Sequence, residues 1–183
     1  PDRSCTRVRT KSTVIAALAV RKGDADAMIC GTIGRFHMHL QMIDDIIGRK
    51  ASVGALYALS LLIVPGGTLF MCDTYVNEEP DAAQLCEMTL LAAEEIRRFG
   101  LEPKAALLSN SSFGSRQTGS AGRMQEALRL IRARAPGLEV EGEMHADAAL
   151  SAEIRQRIFP NSRLKGSANL LVMPSLDAAN IAF

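Results

Sequence analysis

A serine-rich loop holds the residues of this sequence that are best suited to bind an anion. It reads SNSSFGS over residues 109–115, between an apolar run, KAALL, and a helix-like stretch, GRMQEALRLIRARA. Free backbone N–H groups and a helix N-terminus attract phosphate at such a junction. The loop nevertheless lacks the GxxxxGKS or GxxxxGKT pattern of nucleotide-binding loops, and the bulky Phe113 stands at its centre. The candidate ligand residues are hydroxyl and backbone groups, whose alternative role is to satisfy local backbone groups: Ser111, Ser112, Gly114 and Ser115.

Two further polar segments follow predicted strands, where binding residues cluster in open α/β sheets. They read DTYVNEEP and GEMHADAA. Asp73 has the alternative role of capping a turn, and Tyr75 that of packing. No serine in a nucleophile elbow accompanies His145 and Asp147, so we expect no hydrolase triad. The candidate cleft or interface residues from these segments are Asp73, Tyr75, Asn77, Glu143, His145 and Asp147.

Residues near two other helix starts complete the candidate set. Arg35, in GRFHMHL, is a candidate anion contact, with a solvated charge as its alternative role. His37 and His39 are two residues apart, so on a helix they point in different directions and cannot bind one metal ion. Asp177 and Asn180 begin the final predicted helix, in SLDAANIAF, and Asp177 has the alternative role of N-cap.

The composition argues against nucleic-acid, membrane and metal binding and favours a cytoplasmic protein. The net charge of +1 and the 4% aromatic content argue against nucleic-acid binding. The longest apolar stretch, Ala55–Val64, is too short to span a bilayer. No cysteine belongs to a CxxC pair or has metal-ligand spacing with a histidine, so we expect no metal site. We predict that the protein is cytoplasmic and that its four cysteines are reduced: Cys5, Cys30, Cys72 and Cys86.

Hydrophobic spacing and capping residues predict the elements that position these side chains. Helices are predicted at Lys11–Arg21 with Ser12 as N-cap, at Arg35–Ile47, after Asp81, at Arg123–Arg134 and after Ser151. Strands are predicted at Ala25–Cys30, Leu56–Val64, Thr68–Cys72, Lys104–Ser109, Leu138–Gly142 and Leu170–Met173. The sequence PGG between Leu56–Val64 and Thr68–Cys72 predicts a hairpin.

The order of these elements predicts the fold class. Strands alternate with helices except at the hairpin, which favours a three-layer α/β/α fold with a mainly parallel mixed sheet. No repeat or linker divides the sequence, so residues 1–183 are predicted to be a single domain. The sequence does not begin with Met and it stops in the apolar DAANIAF, so we expect a fragment of a longer protein.

Two long stretches resemble the phosphate acetyltransferase (phosphotransacetylase) family. The first runs from DTYVNEEP to SNSSFGS, and the second contains EGEMHADAAL and RIFPNSRLKGSANLLVMPSLDAANIAF. The sequence is most similar to the phosphotransacetylase-like C-terminal domain of bacterial NADP-dependent malic enzymes. This resemblance implies the fold of isocitrate and isopropylmalate dehydrogenases, and assembly into dimers or larger oligomers.

The resemblance also implies that several catalytic positions are altered. The family's enzymes move an acetyl group between coenzyme A and phosphate, which requires cationic groups for phosphate. Gly34 and Arg35 stand where those enzymes carry His and then Ser or Thr, and Gln41 stands where they have Arg. Phe113 replaces a Lys, and the family's catalytic Ser-Arg pair would lie beyond Phe183. We therefore expect no acetyltransferase activity and no catalytic residue in this chain.

A regulatory role is the function that the resemblance implies. The parent protein would be a malic enzyme, which decarboxylates malate to pyruvate with NADP and Mg or Mn bound outside this chain. The chain would sense acetyl-CoA and join the oligomer, and Arg35, the serine residues, Asp177 and Asn180 would line the acetyl-CoA cleft. One alternative is an active phosphate acetyltransferase, and another is a structural dimerisation domain.

Overall fold

The computed structural model describes residues 11–183, so Cys5 lies outside the described residues. The chain divides into two compact units, the first ending at Gly54 and the second spanning Ala55–Phe183. The single domain expected from the sequence stays a prediction. No helix within the described residues is both long enough and apolar enough to cross a membrane.

The first unit contains two helices, α1 (Ser12–Lys22) and α2 (Phe36–Ile46). Both were predicted, although Lys11 rather than Ser12 holds the N-cap position of α1. Gly23 ends α1 with a φ of 80°, a left-handed conformation that glycine adopts without steric cost.

The predicted strand at Ala25–Cys30 is wrong, because this segment has no regular structure. Its largest apolar residue near the end, Ile29, is fully exposed to solvent. A buried strand needs neighbouring strands on both sides, and no strand of the described residues pairs with this segment. The apolar residues of this segment therefore predicted a buried strand, but no strand within residues 11–183 covers them.

The second unit contains five strands and five helices within the described residues. The predicted hairpin is confirmed, with Pro65 and Gly66 as its two-residue loop. Gly66 has a φ of 97°, which the third position of a Pro-Gly type II turn requires. In chain order the elements are β1 (Leu59–Val64), β2 (Gly67–Cys72), α3 (Ala82–Arg98), β3 (Lys104–Leu108), α4 (Gly119–Arg134), β4 (Glu139–Met144), α5 (Ala146–Leu150), α6 (Ala152–Ile158), β5 (Leu170–Val172) and α7 (Leu176–Ala182).

Side-chain caps fix where most of these helices begin. Asp81 and Gln84 form a reciprocal capping box at the start of α3. Ser151 caps α6, as predicted. The N-cap of α7 is Ser175, whose hydroxyl accepts the N–H of Ala178, so the alternative role of Asp177 as N-cap is wrong. Asp177 lies instead in the first turn, where a negative charge favours the helix dipole.

The five strands form one mixed sheet in the order β1-β2-β5-β3-β4. β1 pairs antiparallel with β2, while β2, β5, β3 and β4 run parallel to one another. Gly142 lies at an irregularity in the β3–β4 register, beside Leu107. The predicted mainly parallel sheet with one antiparallel pair is therefore confirmed.

Two apolar layers enclose this sheet and complete the predicted α/β/α arrangement. On one face, residues of α3 and α4 such as Met88, Ile96 and Met124 pack against Phe70 and Leu107. The other face carries a smaller cluster to which α5 and α7 contribute alanines: Met71, Ala106, Met144, Ala148, Ala149, Leu171 and Ala179. Small side chains on these short helices allow them to approach the sheet closely.

Candidate functional site

One edge of the sheet collects most of the predicted site residues. Because β2, β5, β3 and β4 run parallel, their carboxyl ends lie along the same edge. Asp73 follows β2, Asp177 follows β5, the serine loop (residues 109–115) follows β3, and Glu143 lies near the end of β4. The strand order places the serine loop beside the end of β4, and the loop after β2 beside α7.

Glu143 is the carboxylate on which the serine loop closes. Its side chain is 1% exposed, and its Oε1 accepts a hydrogen bond of 2.6 Å from the Ser111 hydroxyl. The N–H of Gly114 donates to the same oxygen at 2.8 Å. The Phe113 N–H also donates to the backbone oxygen of Glu143, at 2.7 Å. The Glu143 carboxylate therefore accepts hydrogen bonds from the Ser111 hydroxyl and the Gly114 N–H, which in an open loop would be available to a bound anion.

The serine hydroxyls of this loop also accept hydrogen bonds from nearby backbone N–H groups. The Ser115 hydroxyl accepts the N–H of Ser112 at 3.0 Å, and the Ser111 hydroxyl accepts the N–H of Arg116 at 3.1 Å. The Ser112 hydroxyl accepts the N–H of His145 at 3.3 Å. These contacts are the local role that the sequence offered as an alternative to ligand binding.

Phe113 holds the loop against a neighbouring segment. Its ring stacks on Phe159, which follows α6, with the ring centres 4.4 Å apart and the planes 13° from parallel. Its φ is 51°, in the left-handed region that is strained for a residue with a Cβ atom. A strained backbone persists only where its surroundings hold it, and here the Phe159 ring and the Glu143 backbone oxygen do so.

Asp73 organises the loop that follows β2. The side chain is 2% exposed, and one carboxylate oxygen accepts the N–H groups of Ala58, Tyr75 and Val76. The other oxygen accepts both the backbone N–H and the side-chain amide of Asn77. This is the turn-capping role that the sequence offered as the alternative for Asp73.

Asn180 and Tyr75 connect the loop after β2 to α7. The Asn180 amide donates to the backbone oxygen of Thr74 at 3.3 Å and to that of Leu176 at 2.9 Å. The Tyr75 ring meets Phe183 edge to face, with ring centres 6.2 Å apart. Both rings are about half exposed, so they form an apolar surface at this end of the sheet.

His145 and Asp147 lie at the start of α5. Both side chains are exposed, and Asp147 accepts the N–H of the adjacent Ala148 at 2.7 Å. Within residues 11–183, no three His, Cys, Asp or Glu side chains gather in a way that would hold a metal ion. The cleft or interface role of His145 and Asp147 stays a prediction.

Arg35 belongs to the first unit, where it precedes α2. It lines a cavity of about 340 Å³ together with Lys11, Ser12 and His39. His39 is held by Thr13, at 2.8 Å from its Nδ1, and by the backbone oxygen of Ile33, at 2.9 Å from its Nε2. The cavity thus has two cationic side chains, which fits the predicted role of Arg35 as an anion contact.

With this geometry described, comparison with known proteins identifies the family. The model of the Phosphate acetyl/butaryl transferase family matches residues 2–183. The chain belongs to this family. The structural neighbours of this phosphate acetyl/butaryl transferase family member include the phosphotransacetylase of Streptococcus pyogenes, with a TM-score of 0.86 and 28% identity. The alignment covers 93% of this chain and 52% of that one. The EutD phosphotransacetylase of Staphylococcus aureus gives a TM-score of 0.83 at 29% identity, covering 93% and 53%.

Curated relatives of this family member include malic enzymes and phosphate acetyltransferases. The chain is 54% identical to the NAD-dependent malic enzyme of Rhizobium meliloti, covering 99% of this chain and 24% of that enzyme. It is 52% identical to the NADP-dependent malic enzyme of Escherichia coli, covering 93% and 22%. Identity to the phosphate acetyltransferase of Paracoccus denitrificans is 41%, covering 92% and 55%. The chain therefore spans about a quarter of the malic enzymes and about half of these acetyltransferases.

A buried charged network next to the site was missed at the level of sequence. Glu141 is 2% exposed and accepts hydrogen bonds from Arg132, at 2.7 Å, and from the N–H of Arg163, at 2.8 Å. Arg155, 1% exposed, donates to the backbone oxygens of Ala148 and Leu164. Burial lowers the pKa of Arg155, and the charge of Glu141 opposes this change. The sequence signal that could have predicted this network is EVEGEM, in which every second residue of a predicted buried strand is a glutamate.

Proposed function

We propose that this chain is the regulatory and oligomerisation domain of a malic enzyme, and that it senses acetyl-CoA without transferring acetyl groups. The parent protein would oxidatively decarboxylate malate to pyruvate with NADP and Mg or Mn, bound outside this chain. The observation that carries the proposal is the closure of the serine loop on Glu143. Greater identity to the malic enzymes, 54% and 52%, than to the acetyltransferase, 41%, supports the same assignment.

The electrostatics of the serine loop argue against a working phosphate site. A phosphate placed at the N–H of Gly114 would approach the Glu143 carboxylate that already accepts this hydrogen bond. Within residues 11–183, no lysine or arginine side chain donates a hydrogen bond to the loop. Transfer of a phosphate-borne acetyl group needs cations that offset the charge of phosphate and of the developing oxyanion. The loop instead presents Phe113 and neutral hydroxyls.

Acetyl-CoA has chemical parts that suit other features of the chain. Its phosphates fit the cationic side chains of Arg35 and Lys11, which line one cavity. The assignment of acetyl-CoA contacts to Ser111, Ser112, Gly114, Ser115, Asp177 and Asn180 stays a prediction from the sequence. Effector binding would change the malic activity by favouring one arrangement of the oligomer, because allostery requires different affinities for two states.

The test uses the full-length protein in two parallel assays. We expect acetyl-CoA to change the rate of malate-dependent NADPH formation, while no acetyl phosphate forms from acetyl-CoA and phosphate. Arg35→Glu should raise the half-maximal acetyl-CoA concentration at least tenfold, which corresponds to about 1.4 kcal/mol for one lost charge contact. Arg97→Glu, at another exposed arginine, in the last turn of α3, is the matched control and should leave it unchanged.

Two other outcomes would select the alternative functions. Acetyl phosphate formation at an ordinary enzymatic rate would favour an active phosphate acetyltransferase, which family membership makes the second candidate. A flat response of the malic rate to acetyl-CoA, without acetyl phosphate, would favour a purely structural dimerisation domain. Equal effects of Arg35→Glu and Arg97→Glu would remove Arg35 from the proposed site.

A further inference from the structure

His39 lies between the two segments that carry the cations of the Arg35 cavity. Its Nδ1 is 2.8 Å from the hydroxyl of Thr13, a residue of α1 that follows Lys11 closely in the sequence. Its Nε2 is 2.9 Å from the backbone oxygen of Ile33, which closely precedes Arg35. One imidazole ring therefore connects the segment that holds Lys11 to the segment that holds Arg35.

The two contacts of this ring fix its tautomer. A carbonyl oxygen can only accept a hydrogen bond, so Nε2 must carry the proton that is donated to Ile33. In the neutral ring, Nδ1 then accepts the hydroxyl proton of Thr13. Thr13 is 3% exposed, so its side chain is shielded from water. Both ring nitrogens of His39 therefore have partners within the first unit, and these hold the ring in one orientation.

His39 also holds Arg35 through its backbone. The N–H of His39 donates to the backbone oxygen of Arg35 at 3.4 Å, in the first turn of α2. Gly34, between Ile33 and Arg35, leaves room for the ring, because a Cβ atom here would lie 2.9 Å from Nε2 of His39. Its φ of 107° also favours glycine. The segment from Ile33 to Arg35 is thus held at both ends by His39.

The charges of the cavity make this support useful. Lys11 and Arg35 line the same cavity of about 340 Å³, and their like charges repel each other. A bound anion would offset this repulsion. Because a flexible side chain loses freedom when it binds a ligand, a backbone that is already held in place lowers the cost of binding. A neutral imidazole supplies this support without adding another positive charge.

We propose that His39 is a positioning residue for Arg35, and that it affects acetyl-CoA binding only through Arg35. This inference rests on the function proposed above, and it names the residue on which the affinity of the Arg35 contact depends. The hydrogen bonds to Thr13 and Ile33 perform this role, while the ring itself does not contact the ligand.

A double-mutant cycle on the full-length protein tests the proposal, with acetyl-CoA binding measured by isothermal titration calorimetry. His39→Leu removes both hydrogen bonds of the ring, and we expect the Kd for acetyl-CoA to rise about fivefold, the value of one hydrogen bond. In the Arg35→Ala background the same substitution should leave the Kd unchanged, because a residue that acts through Arg35 has no effect without it. His37→Leu, at an exposed histidine of the same helix, is the matched control and should leave the Kd unchanged in both backgrounds.

Two further variants test the same contacts if His39→Leu disturbs folding. Thr13→Val replaces the hydroxyl that donates to Nδ1 with a methyl group, and it should raise the Kd about threefold. His39→Gln retains an N–H donor for Ile33, so it should bind acetyl-CoA more tightly than His39→Leu. An unchanged Kd in Thr13→Val, or equal Kd values for His39→Gln and His39→Leu, would contradict the role of these hydrogen bonds.

The outcomes separate this inference from the proposed function. If His39→Leu raises the Kd equally with and without the Arg35 side chain, His39 does not act through Arg35 and the inference is wrong. If Arg35→Ala raises the Kd but His39→Leu and Thr13→Val do not, the inference is overturned while Arg35 keeps its proposed contact. If Arg35→Ala leaves the Kd unchanged, or the protein does not bind acetyl-CoA, the proposed contact and the inference both fail.

Discussion

The two edge strands of the sheet, β4 and β1, differ in their charge and in their contacts. β4 carries glutamates whose carboxylates accept backbone N–H groups of a covering segment: Glu139 accepts that of Lys165 and Glu141 that of Arg163. β1, at the opposite edge, has no charged residue and no covering contact of this kind among the described residues. Charges on an edge strand prevent pairing with another chain, provided that the protein supplies their partners. The β4 edge is therefore closed by hydrogen bonds within the described residues, whereas β1 pairs with β2 alone among them.

Glu141→Ala should have the largest effect, because it breaks the closed edge from within. The substitution leaves the N–H of Arg163 and the guanidinium of Arg132 without their carboxylate. We expect the free energy of unfolding to fall by about 3 kcal/mol, the lower range for losing one partner of a buried charged pair. Urea unfolding measures this. Glu139→Ala, at a more exposed glutamate of the same strand, should cost less than about 1 kcal/mol, and equal losses would contradict the argument.

Gly142→Ala should disturb the contact between β4 and β3. A Cβ atom at this position would lie 2.8 Å from both the Cβ and the backbone oxygen of Leu107. Since backbone atoms must move to relieve this overlap, we expect a loss of about 2 kcal/mol in urea unfolding. Gly122→Ala, within α4, meets nothing within 4 Å and should stabilise the protein by up to about 1 kcal/mol. Opposite signs for the two glycines are the critical result.

Phe113→Ala should weaken the closure of the serine loop. The variant loses the stack on Phe159 while keeping a Cβ atom at a left-handed φ, so we expect about 1 kcal/mol of destabilisation. Phe113→Gly loses the same stack but relieves the backbone strain, and should be the more stable of the two. If Phe113→Gly proves less stable than Phe113→Ala in urea, the strain argument is wrong.

Alkylation of Cys72 should report on how tightly the β1–β2 hairpin stays closed. Cys72 ends β2 opposite Leu59 of β1, and burial raises the pKa of its thiol, so little reactive thiolate forms. At pH 8 we expect iodoacetamide to modify the exposed Cys30 at least about 100-fold faster than Cys72, by peptide mass spectrometry. Unfolding in urea should equalise the two rates. Rapid modification of Cys72 in the native protein would show that the hairpin opens readily.

The sequence predicted the elements whose signals are local. Asp81 and Ser151 act as caps where capping patterns placed them, and Pro65 and Gly66 form the hairpin loop. The strand predicted at Ala25–Cys30 was wrong because a buried strand needs neighbouring strands. No strand of the described residues pairs with this segment. Local pattern therefore determined most of the second unit and failed where strand partners were required.

The candidate site divides in the same way. The parallel order of the strands was enough to place Asp73, Ser111, Glu143 and Asp177 near the carboxyl ends of the strands. The hydrogen bond from Ser111 to Glu143 joins residues far apart in sequence, so no local pattern could predict it. Arg155 was missed because its partners are backbone oxygens, which carry no signature in the sequence.

Arg155 also determines how much of this region can open independently. One guanidinium group donates to the backbone of Ala148, in the middle of α5, and to that of Leu164 and Gly166, beyond α6. Unfolding of any one of these segments would deprive a buried cation of some of its acceptors, at a cost of several kcal/mol. Residues 148–166 should therefore behave as one cooperative unit, whose parts open together and transmit a disturbance at Phe159 to the turn after α5.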